Sequence, residues 1–121
     1  MSLLSFVVPC YRQGNFLELV LESIYAAYQG QHNVIVVDDS SEDRLTEIAL
    51  QRLVSAGSRQ QLQIVRLTSN SGGVAYPRNI GVNCVESKYM VFLDADDLIV
   101  PRSLDSVVST LEATESDVAI A

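Results

Sequence analysis

The stretch Met90-Val-Phe-Leu-Asp-Ala-Asp-Asp97 decides how this chain is read. Its apolar half fits a buried strand, and three aspartates fall in the four positions that follow. A carboxylate is costly to desolvate, and neighbouring carboxylates repel each other. Their crowding at the mouth of a core strand calls for a compensating partner. A divalent cation is the simplest one, because hard ions such as Mg²⁺ take oxygen ligands, often one or two carboxylates together with substrate phosphates. A polar turn leading from the strand into a helix at Pro101 explains any single aspartate, but not the D-x-D-D run directly after V-F-L as well.

Upstream of this stretch, strand and helix patterns alternate. Leu4 to Pro9 is a short apolar run stopped by proline. From Phe16, the residues Leu17, Val20, Leu21, Ile24 and Tyr28 recur with helical period. Val34 to Val37 is β-branched and reads as a buried strand. Ser40-x-x-Asp43 has the form of a capping box. Beyond it Leu45, Ile48, Ala49, Leu53 and Ala56 mark a helix face that Gly57 ends. Leu62 to Leu67 predicts a third strand, and Ser69 to Gly73 a loop. Pro77 fits the first turn of a helix running to about Val85. Tyr89 to Leu93 is the fourth strand. Pro101 opens a last helix with Leu104, Val107, Val108 and Leu111 on one face, and Asp117 to Ala121 reads as the start of a fifth strand. The order βαβαβαβα(β) predicts an α/β fold: a Rossmann-like, mostly parallel sheet with helices on both faces.

The chain of 121 residues is 48% hydrophobic, which fits one globular domain over residues 1–121. The formal net charge of −7 argues against nucleic acid or an anionic membrane surface as partner, since both need excess Lys and Arg. Lys88 is the only lysine, so a ligand phosphate must be met by arginine, backbone N–H groups or a metal. Cys10 and Cys84 show no C-x-x-C spacing and read as small buried thiols in a reducing compartment. His32 stands alone in an expected loop and receives no role. No apolar run approaches the ~18 residues of a membrane span, and no signal peptide is expected.

Ligands of open parallel sheets sit beyond the carboxyl ends of the strands. Three expected strands end in polar clusters: Pro9-Cys10-Tyr11-Arg12, Asp38-Asp39-Ser40-Ser41 and Asp94-Ala95-Asp96-Asp97. In a parallel sheet all three share one edge. Asp38 or Asp39 can cap the next helix, while the other accepts from a ribose hydroxyl or a base N–H. Tyr11 either stacks on a base or plugs the core. Asn70, Gly72 and Gly73, with Arg78 at the following helix start, either bind an anion or form an ordinary loop. The first turn lacks G-x-G-x-x-G, and no P-loop motif exists, which disfavours a dinucleotide site and a P-loop NTPase. The first strand ends without the acidic residues of a phosphoacceptor domain.

Taken together, F-V-V-P-C-Y at 6–11, V-I-V-V-D-D-S-S at 34–41, N-S-G-G-V-A-Y-P-R-N-I-G at 70–81 and Y-M-V-F-L-D-A-D-D at 89–97, with P-R-S-L at 101–104, resemble the family 2 glycosyltransferases of GT-A fold. The motifs occur in family order and span nearly the whole chain. The resemblance implies that Pro9 and Tyr11 line a nucleotide pocket, that Asp39 contacts the base with Asp38 beside it, and that Arg78 and the loop through Gly72 border the base or diphosphate. Asp94 and Asp96 fill the family's D-x-D and are the implied metal residues; Asp96 is the foremost metal contact, with Asp97 an alternative or a ribose partner, and Asp94 and Asp97 are also implied in nucleotide-sugar binding. It further implies Mn²⁺ or Mg²⁺ and a nucleoside-diphosphate sugar, UDP-sugar foremost. The implied reaction is transfer of the sugar to a hydroxyl of a glycan or lipid-linked acceptor, with inversion, in polysaccharide biosynthesis. The setting it implies is cytoplasmic, with membrane association in the full-length protein.

Departures from the family pattern are Arg12 where Asn is usual, Ser40 where Gly is common, and Arg44-Leu45 where Gly-Thr-type residues are expected. The resemblance implies that the chain corresponds to the donor-binding half of such an enzyme. No catalytic base is therefore expected within it, little transfer is expected from it alone, and a second copy is expected on the uncovered sheet surface. A nucleotidyltransferase-like enzyme and a non-catalytic α/β assembly module remain the alternatives.

Overall fold

The computed structural model describes residues 2–55 and 61–119. Four strands, β1 (Leu4–Cys10), β2 (His32–Asp38), β3 (Gln61–Arg66) and β4 (Tyr89–Phe92), alternate with four helices, α1 (Gly14–Ala27), α2 (Arg44–Ser55), α3 (Ala75–Asn83) and α4 (Ser103–Thr114). The sheet order is β3-β2-β1-β4, and every pairing is parallel. The expected α/β architecture is therefore the one observed. β1 and β2 lie in the middle and are buried along almost their whole length, which is why they read as continuous apolar runs rather than alternating ones. β3, at one edge, alternates between exposed and half-buried positions.

The pleat divides the core. Leu4, Phe6, Val8 and Cys10 of β1, with Val34 and Val36 of β2, face a large cluster that includes Leu17, Val20, Leu21 and Ile24 of α1, Leu50 of α2 and Val108 of α4. Val7, Ile35 and Val37 face the opposite side, against Ile80 of α3, with Cys84 and Val85 just beyond the helix. α3 lies very close to the sheet at Gly81, where an added Cβ would come within 2.3 Å of a Val7 methyl carbon. The Cys10–Asp38 and Val7–Phe92 pairings bring the carboxyl ends of β1, β2 and β4 to one edge of the sheet.

Several local expectations are corrected. His32 is not in a loop; it is the buried first residue of β2, packed edge-on against Phe6, Tyr25 and Tyr28. Its Nδ1 lies 2.8 Å from the Gly30 carbonyl, and burial lowers its pKa. On α2, Leu45 is exposed, whereas Thr46, Ala49 and Leu50 are buried, so the apolar face is rotated from the expected one. Gly57, the expected stop, lies outside the described residues. Asp43, not Ser40, caps this helix, accepting from the Thr46 N–H at 3.0 Å and the Thr46 hydroxyl at 2.9 Å. α3 ends at Asn83, and α4 begins at Ser103, two residues past Pro101. Residues 117–119 form no strand, and the rest of that expected element lies outside the described residues. Among the described residues no helix is long and apolar enough to cross a membrane.

Candidate functional site

A cleft of about 510 Å³ opens at the carboxyl edge of the sheet. Pro9, Tyr11 and Gln13 come from the end of β1, and Asp39 from the end of β2. Asn70, Gly72, Gly73 and Arg78 come from the loop and start of α3, while Asp94 and Asp96 follow β4. The parallel sheet thus brings together groups far apart in sequence. Of the residues singled out above, Pro9, Tyr11, Asp39, Gly72, Arg78, Asp94 and Asp96 line this cleft; Asp38 and Asp97 do not.

Tyr11 is 41% exposed and stands at the cleft rather than plugging the core. The Arg12 guanidinium lies 5.2 Å from its ring centroid. Arg12 itself has φ +57°, and its N–H donates to the Ser41 hydroxyl at 2.8 Å. Ser40 has φ +59°. Both turns thus adopt the left-handed conformation that asparagine or glycine reaches easily, at a cost of about 1 kcal/mol per residue when other side chains do so.

Asp38 and Asp39 are both buried, yet neither caps α2. Asp38 does not line the cleft and accepts from the Ser41 N–H at 3.3 Å. Burial pushes its carboxyl above the usual range, partly offset by Ser41 and by the nearby Arg66 charge. Asp39 holds the glycine-rich loop. Its carboxylate accepts from the Ser71 N–H at 3.0 Å, the Ser71 hydroxyl at 2.8 Å and the Asn70 side-chain amide at 3.2 Å. The Asn70 side-chain Oδ1 in turn accepts from the Gly72 N–H at 2.9 Å, closing a local turn around Gly72 at φ +85°. Ser71 was not singled out from the sequence, because no local pattern pairs it with a carboxylate 32 residues away.

After β4 the chain alternates sharply. Leu93 and Ala95 are buried, while Asp94 and Asp96 face the cleft. The Asp97 N–H donates to the Asp94 carbonyl at 3.0 Å, a tight turn that brings carboxylate oxygens of Asp94, Asp96 and Asp97 within 4.8 Å of one another. That donor set, all hard oxygens and largely exposed, suits Mg²⁺ or Mn²⁺ rather than a soft ion. Arg78 reaches across from α3: its Nη2 lies 3.1 Å from Asp94 Oδ1, and its guanidinium sits 5.5 Å from the Phe92 ring centroid. Cys10 also lines the cleft; burial pushes its thiol up to about 11, so it stays protonated at neutral pH.

The chain matches the model of Glycosyl transferase family 2 over residues 5–121. TarS of Staphylococcus aureus, a poly(ribitol-phosphate) beta-N-acetylglucosaminyltransferase, is 29% identical over 116 residues, covering 94% of this chain and 20% of TarS. Glycosyltransferase GlyG of Streptococcus pneumoniae is 27% identical over 119 residues, covering 98% of this chain and 38% of GlyG. Among solved structures, S. aureus TarS 1–349 in complex with UDP-GlcNAc superposes with a TM-score of 0.81 at 26% identity, over 94% of this chain and 32% of that one. A mannosyltransferase from Pyrobaculum calidifontis, in complex with GDP-Man and Mn²⁺, gives 0.79 at 27% identity, over 90% and 32%. The chain spans between a fifth and two fifths of the length of these curated relatives. With its family motifs gathered on one edge of a GT-A-type sheet, this chain belongs to glycosyl transferase family 2.

Proposed function

We propose that this chain is the nucleotide-sugar-binding part of a metal-dependent, inverting glycosyltransferase that uses a nucleoside-diphosphate sugar. The observation that carries this reading is the single cleft in which Tyr11, Asp39, Arg78, Asp94 and Asp96 meet. Tyr11 offers a half-exposed ring for stacking at the β1 side. Asp39, held by three donors from Asn70 and Ser71, keeps about one further acceptor position for a base or ribose donor. Gly72 and Gly73 carry no side chain to obstruct an approaching phosphate, and nothing lies within 4 Å of where a Cβ would be on either. Arg78 is the cation of the cleft and the natural partner of a diphosphate. Asp94 and Asp96 would hold Mn²⁺ or Mg²⁺, with Asp97 beside them. The bound metal would supply Lewis-acid stabilisation of the departing diphosphate.

Support comes from the relatives: TarS 1–349 has been solved with UDP and with UDP-GlcNAc, and the Pyrobaculum enzyme with GDP-Man and Mn²⁺. We assign no catalytic base among these residues and expect little sugar transfer from the chain alone. Pairing with a second copy would use the outer edge of β4, the strand that ends the sheet beside β1.

Titration calorimetry with UDP and GDP, with and without Mn²⁺, tests the reading. A nucleoside diphosphate should bind the parent chain in a Mn²⁺-dependent way, and Asp96→Ala should weaken it at least about tenfold. Equal affinity of parent and variant would remove the metal role. Failure of every nucleotide to bind would favour a non-catalytic module.

A further inference from the structure

Among the described residues lining the cleft, Arg78 is the one cation, set against Asp39, Asp94 and Asp96. Asp39 already has three donors and takes nothing from it. Arg78 instead pairs with Asp94, inside the group of carboxylates whose oxygens lie within 4.8 Å of one another. Like charges so close repel, and a guanidinium placed among them relieves part of that repulsion. Its resting position is nonetheless incomplete. Arg78 Nε is enclosed and has no acceptor, so the guanidinium satisfies Asp94 while leaving one of its own N–H groups unpaired. The pair is also half-exposed, with side-chain exposures of 37% and 45%, so it can be broken at little cost.

We propose that Arg78 is the resident counter-ion of this carboxylate group, and that it and a divalent cation are alternative partners of Asp94. This inference rests on the donor-binding reading above. Asp94 has a second oxygen, but a guanidinium and a divalent ion across one carboxylate repel each other. Entry of the ion therefore drives Arg78 off Asp94. An incoming diphosphate gives the released guanidinium anionic acceptors, including one for the orphaned Nε. Metal and nucleotide then bind cooperatively, partly because each removes the obstacle to the other. Phe92, under the guanidinium, keeps the side chain at the cleft during the exchange.

The test is a pair of opposite-signed effects. Arg78→Gln should bind Mn²⁺ alone about two- to fivefold more tightly than the parent, the range of an exposed ion pair. The same variant should bind UDP with saturating Mn²⁺ about tenfold more weakly. Arg78→Lys keeps the charge without the planar fork and should fall between the two in both measurements; if Arg78→Gln folds poorly, Arg78→Lys alone should still bind Mn²⁺ more tightly and UDP with Mn²⁺ more weakly than the parent. Melting curves establish that the variants are folded. Unchanged or weaker Mn²⁺ binding by Arg78→Gln, in a series whose parent binds UDP and Mn²⁺, overturns the exchange and leaves the donor-binding reading standing. A parent that binds neither Mn²⁺ nor UDP overturns both.

Discussion

Asp39 and Asp96 line the same cleft, yet their surroundings are opposite. Asp39 is 4% exposed, and donors from Asn70 and Ser71 occupy its carboxylate. Asp96 is exposed and close to other carboxylates, with Arg78 serving only its neighbour Asp94. The first arrangement is a finished piece of architecture: the carboxylate fixes a loop before any ligand arrives. The second is electrostatically unfinished, and its repulsion is relieved by a cation from outside. The cleft thus pairs a rigid side, at the ends of β1 and β2, with a side held ready at the end of β4.

The largest effect that would sharpen this contrast is on stability. Asp39→Ala removes charge-assisted hydrogen bonds and frees the 69–73 loop, and should cost about 2–3 kcal/mol in urea unfolding. Asp96→Asn should cost nothing measurable or slightly stabilise, while abolishing Mn²⁺-induced thermal stabilisation. Equal losses of stability in the two variants would break the comparison, because both carboxylates would then be structural. The smallest effect concerns Asp38, the buried neighbour that does not line the cleft. Its pKa is raised in the fold, so the ionised form is disfavoured there relative to the unfolded chain. Any stability it contributes is present below the ordinary carboxylate range and fades as pH rises through its elevated value. Asp38→Asn should therefore be slightly more stable than the parent at neutral pH, with the advantage vanishing in acid. An advantage that instead grew towards low pH would show the opposite shift.

The contrast also separates what was legible from what was not. The apolar runs of β1 and β2 were readable because strands covered on both faces need no alternation, and the parallel order followed from their spacing by helices. The convergence of three polar strand ends follows from the same parallel order. The helix face of α2 was misjudged because Leu45 matches the period but sits in the first turn, on the solvent side. His32 sits in β2 rather than in the expected loop because its ring is claimed by Phe6, Tyr25 and Tyr28, contacts that no local pattern announces. Arg12 and Ser40 depart from the expected residue types, and both sit at left-handed φ, with the Arg12 N–H held by the Ser41 hydroxyl.

The sequence by itself determined the order of the elements, the parallel sheet and the edge on which the carboxylates gather, because period, β-branching and turn residues act over a few positions. Only the tertiary structure decided what each carboxylate does there. Asp38 and Asp39 are adjacent in the chain but face different partners, and Asp94 meets an arginine sixteen residues away. Burial and the company of distant donors set the character of an acidic side chain, and neither is written in its immediate neighbours.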